Sequence, residues 1–218
     1  MIFRLLLPTV IPLLAAALVL VSRRRRSALP WLCGGAALAA LASIGALAVP
    51  VLSGEVLVAS VPWAPSVGLN LTLLVDGLSV LFAGLITGIG FLVVVYARYY
   101  LAPHEAMGKF YASLMLFMAA MVGVVTAGNL LVLVVFWELT SVSSFLLIGF
   151  WDHLPGSRKG AYQSLIVTGM GGLALLAGVL LLGAEAGTYE LAALFAEGER
   201  LASTPTSQVA LALILLGA

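Results

Sequence analysis

Long uncharged apolar stretches alternate with short polar breaks along the whole chain. A helix needs about 20 apolar residues to cross the hydrocarbon core of a bilayer. Stretches of that length predict six complete transmembrane helices and the start of a seventh, near residues 3–22, 29–51, 77–98, 108–127, 130–151, 160–183 and, incomplete, 206–218. The pattern therefore predicts an all-α fold, a polytopic transmembrane helical bundle.

At two places in this pattern, turn-forming residues and not charges show where a helix cannot continue. Between Phe110 and Trp151 the chain carries one charge, yet about 42 residues at 1.5 Å each are far too long for one crossing. Gly128-Asn129 supplies the turn that divides this stretch. Residues 56–75 are also uncharged, but prolines, glycine and polar residues interrupt them. We therefore expect a short extracytoplasmic extended segment or hairpin near 53–75.

Composition supports a membrane protein. Hydrophobic residues make up 63% of the 218 residues and charged residues 9%, with a mean hydropathy of +1.20, whereas a soluble domain is roughly half apolar and about a quarter charged. The formal net charge of +1 gives no reason to expect a nucleic-acid partner. The single cysteine, Cys33, lies in an apolar stretch and excludes both an intrachain disulfide and a cysteine metal cluster.

Lysine and arginine are distributed unevenly between the two sides that alternate crossing defines. With the N-terminus outside, the inner side holds Arg23, Arg24, Arg25, Arg26, Arg98, Lys109, Arg158 and Lys159, and the outer side holds Arg4 and Arg200. Cytoplasmic loops carry the excess of these residues, so we expect an extracytoplasmic N-terminus. The four arginines follow the first apolar stretch, which is the reverse of a secretory signal peptide and predicts an uncleaved first helix.

The last forty residues support two further predictions. Four glutamates fall in one outer loop, where Tyr189 to Leu201 is expected to form a short amphipathic surface helix. A solvated face and a binding role are both open for that loop. The final apolar segment would extend only about 20 Å against a hydrocarbon core of about 30 Å. We therefore expect the chain to be a fragment of a longer protein.

Glu138 is the sharpest chemical signal. If its helix begins at Leu130, the carboxyl group lies about 12 Å along the axis, near mid-depth of the bilayer. A bare carboxylate there costs at least a few kcal/mol, so it should face protein or water and either pair with a cation or be protonated. Either state suits a proton relay. Ser141 and Ser144 lie on the same helix face as Glu138, and Thr140 and Ser143 widen this polar stripe, as expected of a hydrated path. The alternative is that Glu138 is a structural acid that fixes helix packing.

Three weaker candidates lie at helix ends or in loops. Asp76 stands at the outer start of a helix, where a helix cap explains it without a further function. His104 and His153 lie in predicted cytoplasmic loops and are able to take up protons near neutral pH, although a solvated loop histidine is the simpler interpretation. Neither has metal-ligand spacing to another His, Cys or carboxylate. The sequence shows no cofactor-binding motif, so we expect neither cofactor nor metal.

The stretch from Phe136 to Trp151, which reads FWELTSVSSFLLIGFW, resembles the antiporter-like membrane subunits shared by respiratory complex I and Mrp-type multisubunit cation/proton antiporters. Within that group, Trp137 to Ser141 resembles the large A-type component of the Mrp antiporter. The segments Asp76 to Ser79, Tyr99 to Leu101 and His104 to Tyr111 fit the same family in the same order.

This resemblance implies that Glu138 is the membrane glutamate of a proton-translocating half-channel, partnered by a lysine on a later helix beyond Ala218. It implies a secondary-transporter subunit, not an enzyme by itself, in the cell membrane of a prokaryote. Expected partners are other antiporter subunits, lipid, protons and Na⁺ or another monovalent cation. Two alternatives stay open: the proton-translocating membrane subunit of an NADH:quinone oxidoreductase, and a purely structural membrane subunit.

Overall fold

Six apolar helices dominate the computed structural model, which describes residues 1–21, 28–102 and 105–218. The helices long and apolar enough to cross a membrane are α1 (Ile2–Val21), α2 (Leu29–Leu52), α3 (Gly77–Tyr100), α4 (Met107–Thr126), α5 (Leu130–Ile148) and α6 (Pro155–Ala186). In this part of the chain the predicted polytopic helical bundle is confirmed. The basic run Arg23 to Arg26 lies outside the described residues.

The segment between α2 and α3 is a hairpin. Strand β1 (Leu57–Ala64) pairs antiparallel with β2 (Leu69–Val75), with Leu57 opposite Val75, and a 3-10 turn at Pro65–Val67 joins them. Gly68 closes the turn at φ +74°, a left-handed conformation that glycine adopts without strain. Of the two forms that the sequence left open, the structure has the hairpin.

Helix α4 is central in the bundle, because α1, α3 and α5 all pack against it. Its side chains Tyr111, Met115 and Met118 are fully buried, and the Tyr111 hydroxyl donates to the Val94 carbonyl of α3 at 3.2 Å. Because lipid is as apolar as these side chains, close fit between helices contributes more here than burial of apolar area.

Helix α6 is longer than the sequence pattern predicted. It has 32 residues, from Pro155 in place of 160 to Ala186 in place of 183. Proline is favoured in the first helical turn, where its missing N–H is not needed, and Gly187 ends the helix at φ +72°. At about 1.5 Å per residue α6 exceeds the thickness of a bilayer core, so at least one end extends past it.

Beyond α6, the expected single surface helix is two short ones. These are α7 (Leu191–Ala196) and α8 (Gly198–Ala202), separated at Glu197. Helix α9 (Pro205–Gly217) then packs along α6, where Gly171 lies close to the Gly217 carbonyl and Gly178 close to the Ala210 carbonyl. These glycines let the two backbones approach.

Hydrogen bonds show which helix ends share a side. At one end, the N–H of Gly128 donates to Thr72 O of the hairpin at 2.8 Å, and the N–H of Leu130 donates to Tyr189 O after α6 at 2.9 Å. At the other end, Lys109 Nζ lies 2.9 Å from Asp152 Oδ2. Helices α3 to α6 therefore alternate in direction, as a multi-pass topology requires.

Candidate functional site

Asn129 sets the start of α5 and so the depth of Glu138. Its side-chain Oδ1 accepts from the N–H groups of Leu131 at 3.0 Å and Val132 at 3.4 Å, which caps the helix. Counting from Leu130, Glu138 lies about 12 Å along a 19-residue helix. The carboxylate is therefore near the middle of the span.

The Glu138 carboxylate lies directly against the backbone of α6 at Gly172. A Cβ atom added to Gly172 would overlap Oε1 of Glu138 and would lie 2.8 Å from the Cδ of the same side chain. The side chain is partly buried, and in the part of the chain that the structure describes it has no hydrogen-bond or ion-pair partner. The absence of a side chain at Gly172 is what leaves room for the acid.

A cavity of about 450 Å³ lies next to this contact, between α4, α5, α6 and α9. We call it the hydroxyl cavity, because Thr140, Ser141 and Ser144 of α5 and Thr168 of α6 line it. Trp137 and Gly171, the chain neighbours of Glu138 and Gly172, also line it. The structure therefore brings three of the four predicted pathway hydroxyls together beside the acid.

Three of the four hydroxyls of the cavity donate hydrogen bonds within their own helices. Thr140 Oγ1 donates to Trp137 O at 2.6 Å, Ser141 Oγ to the same oxygen at 3.4 Å, and Thr168 Oγ1 to Ser164 O at 2.8 Å. A hydroxyl that has donated its proton keeps acceptor lone pairs. These walls can therefore accept hydrogen bonds from water or a protonated carrier.

Ser143 does not share this cavity. It is fully buried and donates to the carbonyls of Leu139 at 2.7 Å and Thr140 at 3.1 Å in its own helix. The helical period of 3.6 residues places it on the far side of α5 from Ser141. Its spacing along the sequence placed Ser143 in the predicted polar stripe. The packing of α5 instead buries Ser143 in the contacts between helices.

Asp76 caps α3. Its Oδ1 accepts from the N–H and from the hydroxyl of Ser79, both at 2.8 Å. The backbone N–H of Ser79 holds the pKa of the Asp76 carboxyl below its ordinary value, burial acts in the opposite direction, and the Ser79 hydroxyl lowers it further. This geometry matches the cap interpretation of Asp76.

The two histidines are far from the acid or outside the described residues. His153 is exposed in the loop between α5 and α6, and His104 lies outside the described ranges. Next to His153, Asp152 pairs with Lys109, which holds the pKa of that carboxyl below its usual range by hydrogen bonding and by charge. Among residues 1–21, 28–102 and 105–218, no three His, Cys, Asp or Glu side chains cluster as metal ligands.

A polar junction of Asn70, Asn129 and Glu190 was missed by reasoning from the sequence. Oε1 of Glu190 accepts from Nδ2 of Asn129 at 2.9 Å and from Nδ2 of Asn70 at 3.1 Å, and Asn129 also donates to Gly68 O at 3.0 Å. The junction therefore joins the hairpin, the start of α5 and the segment after α6. An asparagine just before an apolar helix is a cap signal, but no local pattern indicates Glu190 as its partner.

Six apolar helices with a mid-span carboxylate beside a hydroxyl-lined cavity define a polytopic membrane protein with an intramembrane acid. Acidic residues inside the membrane usually have a functional role.

Two family models match the chain. Residues 63–111 match the N-terminus of chain 5 of NADH-ubiquinone oxidoreductase (complex I), and residues 127–218 match the transmembrane region of NADH:quinone oxidoreductase/Mrp antiporter proteins. The chain belongs to this family of antiporter-like membrane subunits.

Individual relatives carry antiporter names. The chain is 46% identical over 194 residues to the A/B subunit of a probable K⁺/H⁺ antiporter of Rhizobium meliloti, covering 89% of this chain and 19% of that protein. It is 48% identical over 166 residues to the A1 subunit of a Na⁺/H⁺ antiporter of Staphylococcus haemolyticus, covering 76% and 21%. The chain thus spans about a fifth of the length of these curated relatives.

A solved structure shares the fold. A chain in the Mrp complex of a Dietzia species superposes with a TM-score of 0.82 at 33% identity, over 98% of this chain and 23% of that one. The similarity covers all six long helices and the hairpin, because almost the whole chain is aligned.

Proposed function

We propose that the full protein is a subunit of a multisubunit antiporter that exchanges a monovalent cation, Na⁺, for protons, and that Glu138 carries the proton. The observation that carries the proposal is the mid-span carboxylate held against Gly172 beside the hydroxyl cavity. The names of similar proteins support the antiporter class, with K⁺ in one and Na⁺ in another.

Glu138 acts in this proposal by changing between its neutral and charged forms. The neutral form is tolerated in the apolar bundle, and the charged form requires a cation or water nearby. The acceptor oxygens of Thr140, Ser141, Ser144 and Thr168 provide a route along which hydrogen-bonded water delivers a proton. The partner cation is the lysine that the family resemblance implies beyond Ala218.

Glu138→Gln tests the proposal in the full-length protein within its complex. Glutamine keeps the size and polarity of the side chain but cannot release a proton. Cation-dependent proton movement in everted membrane vesicles should therefore fall at least about a hundredfold, the scale of a lost proton-transfer group. Glu199→Gln makes the same chemical change in an exposed residue of α8 and should leave exchange unchanged.

The outcomes of this comparison separate the alternatives. Retained exchange in Glu138→Gln would exclude Glu138 as the proton carrier. Loss of assembly, with unchanged exchange per assembled complex, would instead support a purely structural subunit. Flavin and iron–sulfur subunits that copurify with the full protein would favour the membrane subunit of an NADH:quinone oxidoreductase, a class of enzyme that both family descriptions also name.

The proposal places the protein in a prokaryotic cell membrane among other antiporter subunits. These 218 residues then form the N-terminal part of its antiporter-like transmembrane domain, with the N-terminus extracytoplasmic. The uneven distribution of lysine and arginine supports that orientation.

A further inference from the structure

A groove between α2 and α3 lies away from Glu138 and has no role in the proposed proton route. It has a volume of about 300 Å³ and runs between the first turns of α2 and the last turns of α3. Its walls are mainly apolar and include Leu38, Phe91 and Val95. Leu38 and Val95 are exposed on the surface of the bundle, so the groove opens to the surroundings of the protein.

Two glycines give the groove its width. At Gly34 an added Cβ would be in ordinary contact with Phe91 and Val94, both at 3.8 Å, and at Gly35 it would meet nothing within 4 Å. The space beside Gly35 is therefore open along the helix surface. A flexible hydrocarbon chain fits such a slot, because it needs width for methylene groups and no polar partner.

A cation stands at one end of this slot. The guanidinium carbon of Arg98 lies 4.7 Å from the ring centre of Trp31 and 5.6 Å from that of Tyr99. These cation–π contacts hold the charge at the groove mouth. No carboxylate in the described ranges forms an ion pair with Arg98, so its N–H donors are free to bind an anion.

Aromatic residues place Arg98 at headgroup level. Trp31 is 69% exposed and Tyr99 79% exposed, and both lie at the same end of the bundle as Arg98. Exposed tryptophan and tyrosine at helix ends concentrate at the membrane–water interface. The apolar slot therefore extends from Arg98 into the depth occupied by acyl chains.

A second surface groove, between α1 and α2 near the opposite membrane face, lacks this charge pattern. It is lined by both Arg4 and Glu55. A carboxylate in the same groove as the arginine lowers the positive potential and makes that groove a poorer site for an anion. Of the two grooves, only the α2–α3 groove is lined by a basic residue without an acidic one.

We propose that the α2–α3 groove binds an anionic phospholipid, with one acyl chain in the slot beside Gly35 and the phosphate on Arg98. Charge complementarity selects an anionic headgroup, and bidentate hydrogen bonding by guanidinium suits phosphate oxygens. The site lies apart from Glu138, so it is independent of the proposed transport chemistry.

Photo-crosslinking tests this site in the full-length protein within its complex. Vesicles carry phosphatidylglycerol or phosphatidylcholine, at equal mole fraction, with a photoreactive group in one acyl chain, and the modified peptides are identified by mass spectrometry. Phosphatidylglycerol should label residues 30–38 and 91–99 about tenfold more than phosphatidylcholine, the scale of a charge-assisted hydrogen bond. Arg98→Gln should reduce its labelling to the phosphatidylcholine level, and Arg98→Lys should retain a preference.

Two glycine variants test the slot separately from the charge. Gly35→Leu fills the groove and should reduce labelling by both lipids. Gly45→Leu makes the same change on α2, at an exposed position where an added Cβ also meets nothing within 4 Å, and should leave labelling unchanged. Equal labelling by the two lipids in the wild type, or a preference that persists in Arg98→Gln, would overturn the proposal. So would absence of labelling by either lipid in the intact complex, which would indicate that another subunit covers the groove.

Discussion

At the scale of single residues, the contact between Glu138 and Gly172 determines where the acid lies. The carboxylate occupies the space that a side chain at position 172 would fill. The sequence places an acid at mid-span, because depth follows from helix rise and the start of the helix. It gives no indication that a glycine of the next helix receives that acid, since the glycines of α6 were explained equally well by helix packing.

Gly172→Ala should therefore reduce exchange in the full-length complex by roughly tenfold to a hundredfold, because its methyl group displaces the Glu138 carboxylate. The variant would be measured by cation-dependent proton movement in vesicles. Gly169→Ala adds the same methyl group to the same helix, where it meets nothing within 4 Å, and should retain exchange. Equal activity of the two variants would contradict the importance of this contact.

At the scale of elements, the polar junction of Asn70, Asn129 and Glu190 fixes the start of α5 relative to the hairpin and to the segment after α6. The turn at Gly128-Asn129 and the presence of extended structure near 53–75 were predictable from local turn chemistry. The pairing of the three side chains was not, because Asn70 and Glu190 are 120 residues apart and their contact depends on how the helices pack.

Asn129→Ala removes the cap of α5 and the donors to Glu190 and Gly68 together. We expect a loss of roughly 2 kcal/mol or more in stability, from a lost cap and from buried acceptors left without a donor. Asn70→Ala removes a single hydrogen bond, the one that Asn70 donates to Glu190, and should cost clearly less. Thermal unfolding of the purified protein in detergent measures both, and an equal loss would show that Asn129 has no special role.

The lengths of the later helices also depended on packing. The start of α6 at Pro155 lies in a polar segment that the apolar pattern could not assign, and the break at Glu197-Gly198 divides what periodicity joined into one helix. Hydropathy identifies the part of a helix that lies in lipid, whereas its ends are set by caps, turns and contacts outside the lipid.

At the scale of the whole molecule, the alternation of helix directions and the distribution of basic residues both support the orientation that we propose. The hairpin and the segment after α6 share one side, and the Lys109–Asp152 pair lies on the other. Under the orientation that we propose, Gly198 faces the outside and Gly156 the cytoplasm.

Single cysteines at these two glycines test the orientation. Both positions are exposed with nothing within 4 Å of an added Cβ, and the native Cys33 is fully buried, which limits background labelling. In intact cells a membrane-impermeant maleimide should label Gly198→Cys, and Gly156→Cys only after the membrane is permeabilised. The reverse pattern would place the N-terminus in the cytoplasm.

The sequence by itself determined the spans, the hairpin region, the cap at Asp76 and the mid-span position of Glu138, because each follows from the length of an apolar stretch or from neighbours along the chain. Only the tertiary structure decided that Glu138 lies against Gly172, that Ser143 turns away from the hydroxyl cavity while Thr168 joins it, and that Glu190 binds Asn129. Helices in lipid associate by close fit and hydrogen bonding, with little hydrophobic driving force between them. Which faces meet therefore depends on the shapes of distant segments, and the periodicity of any one segment does not contain that information.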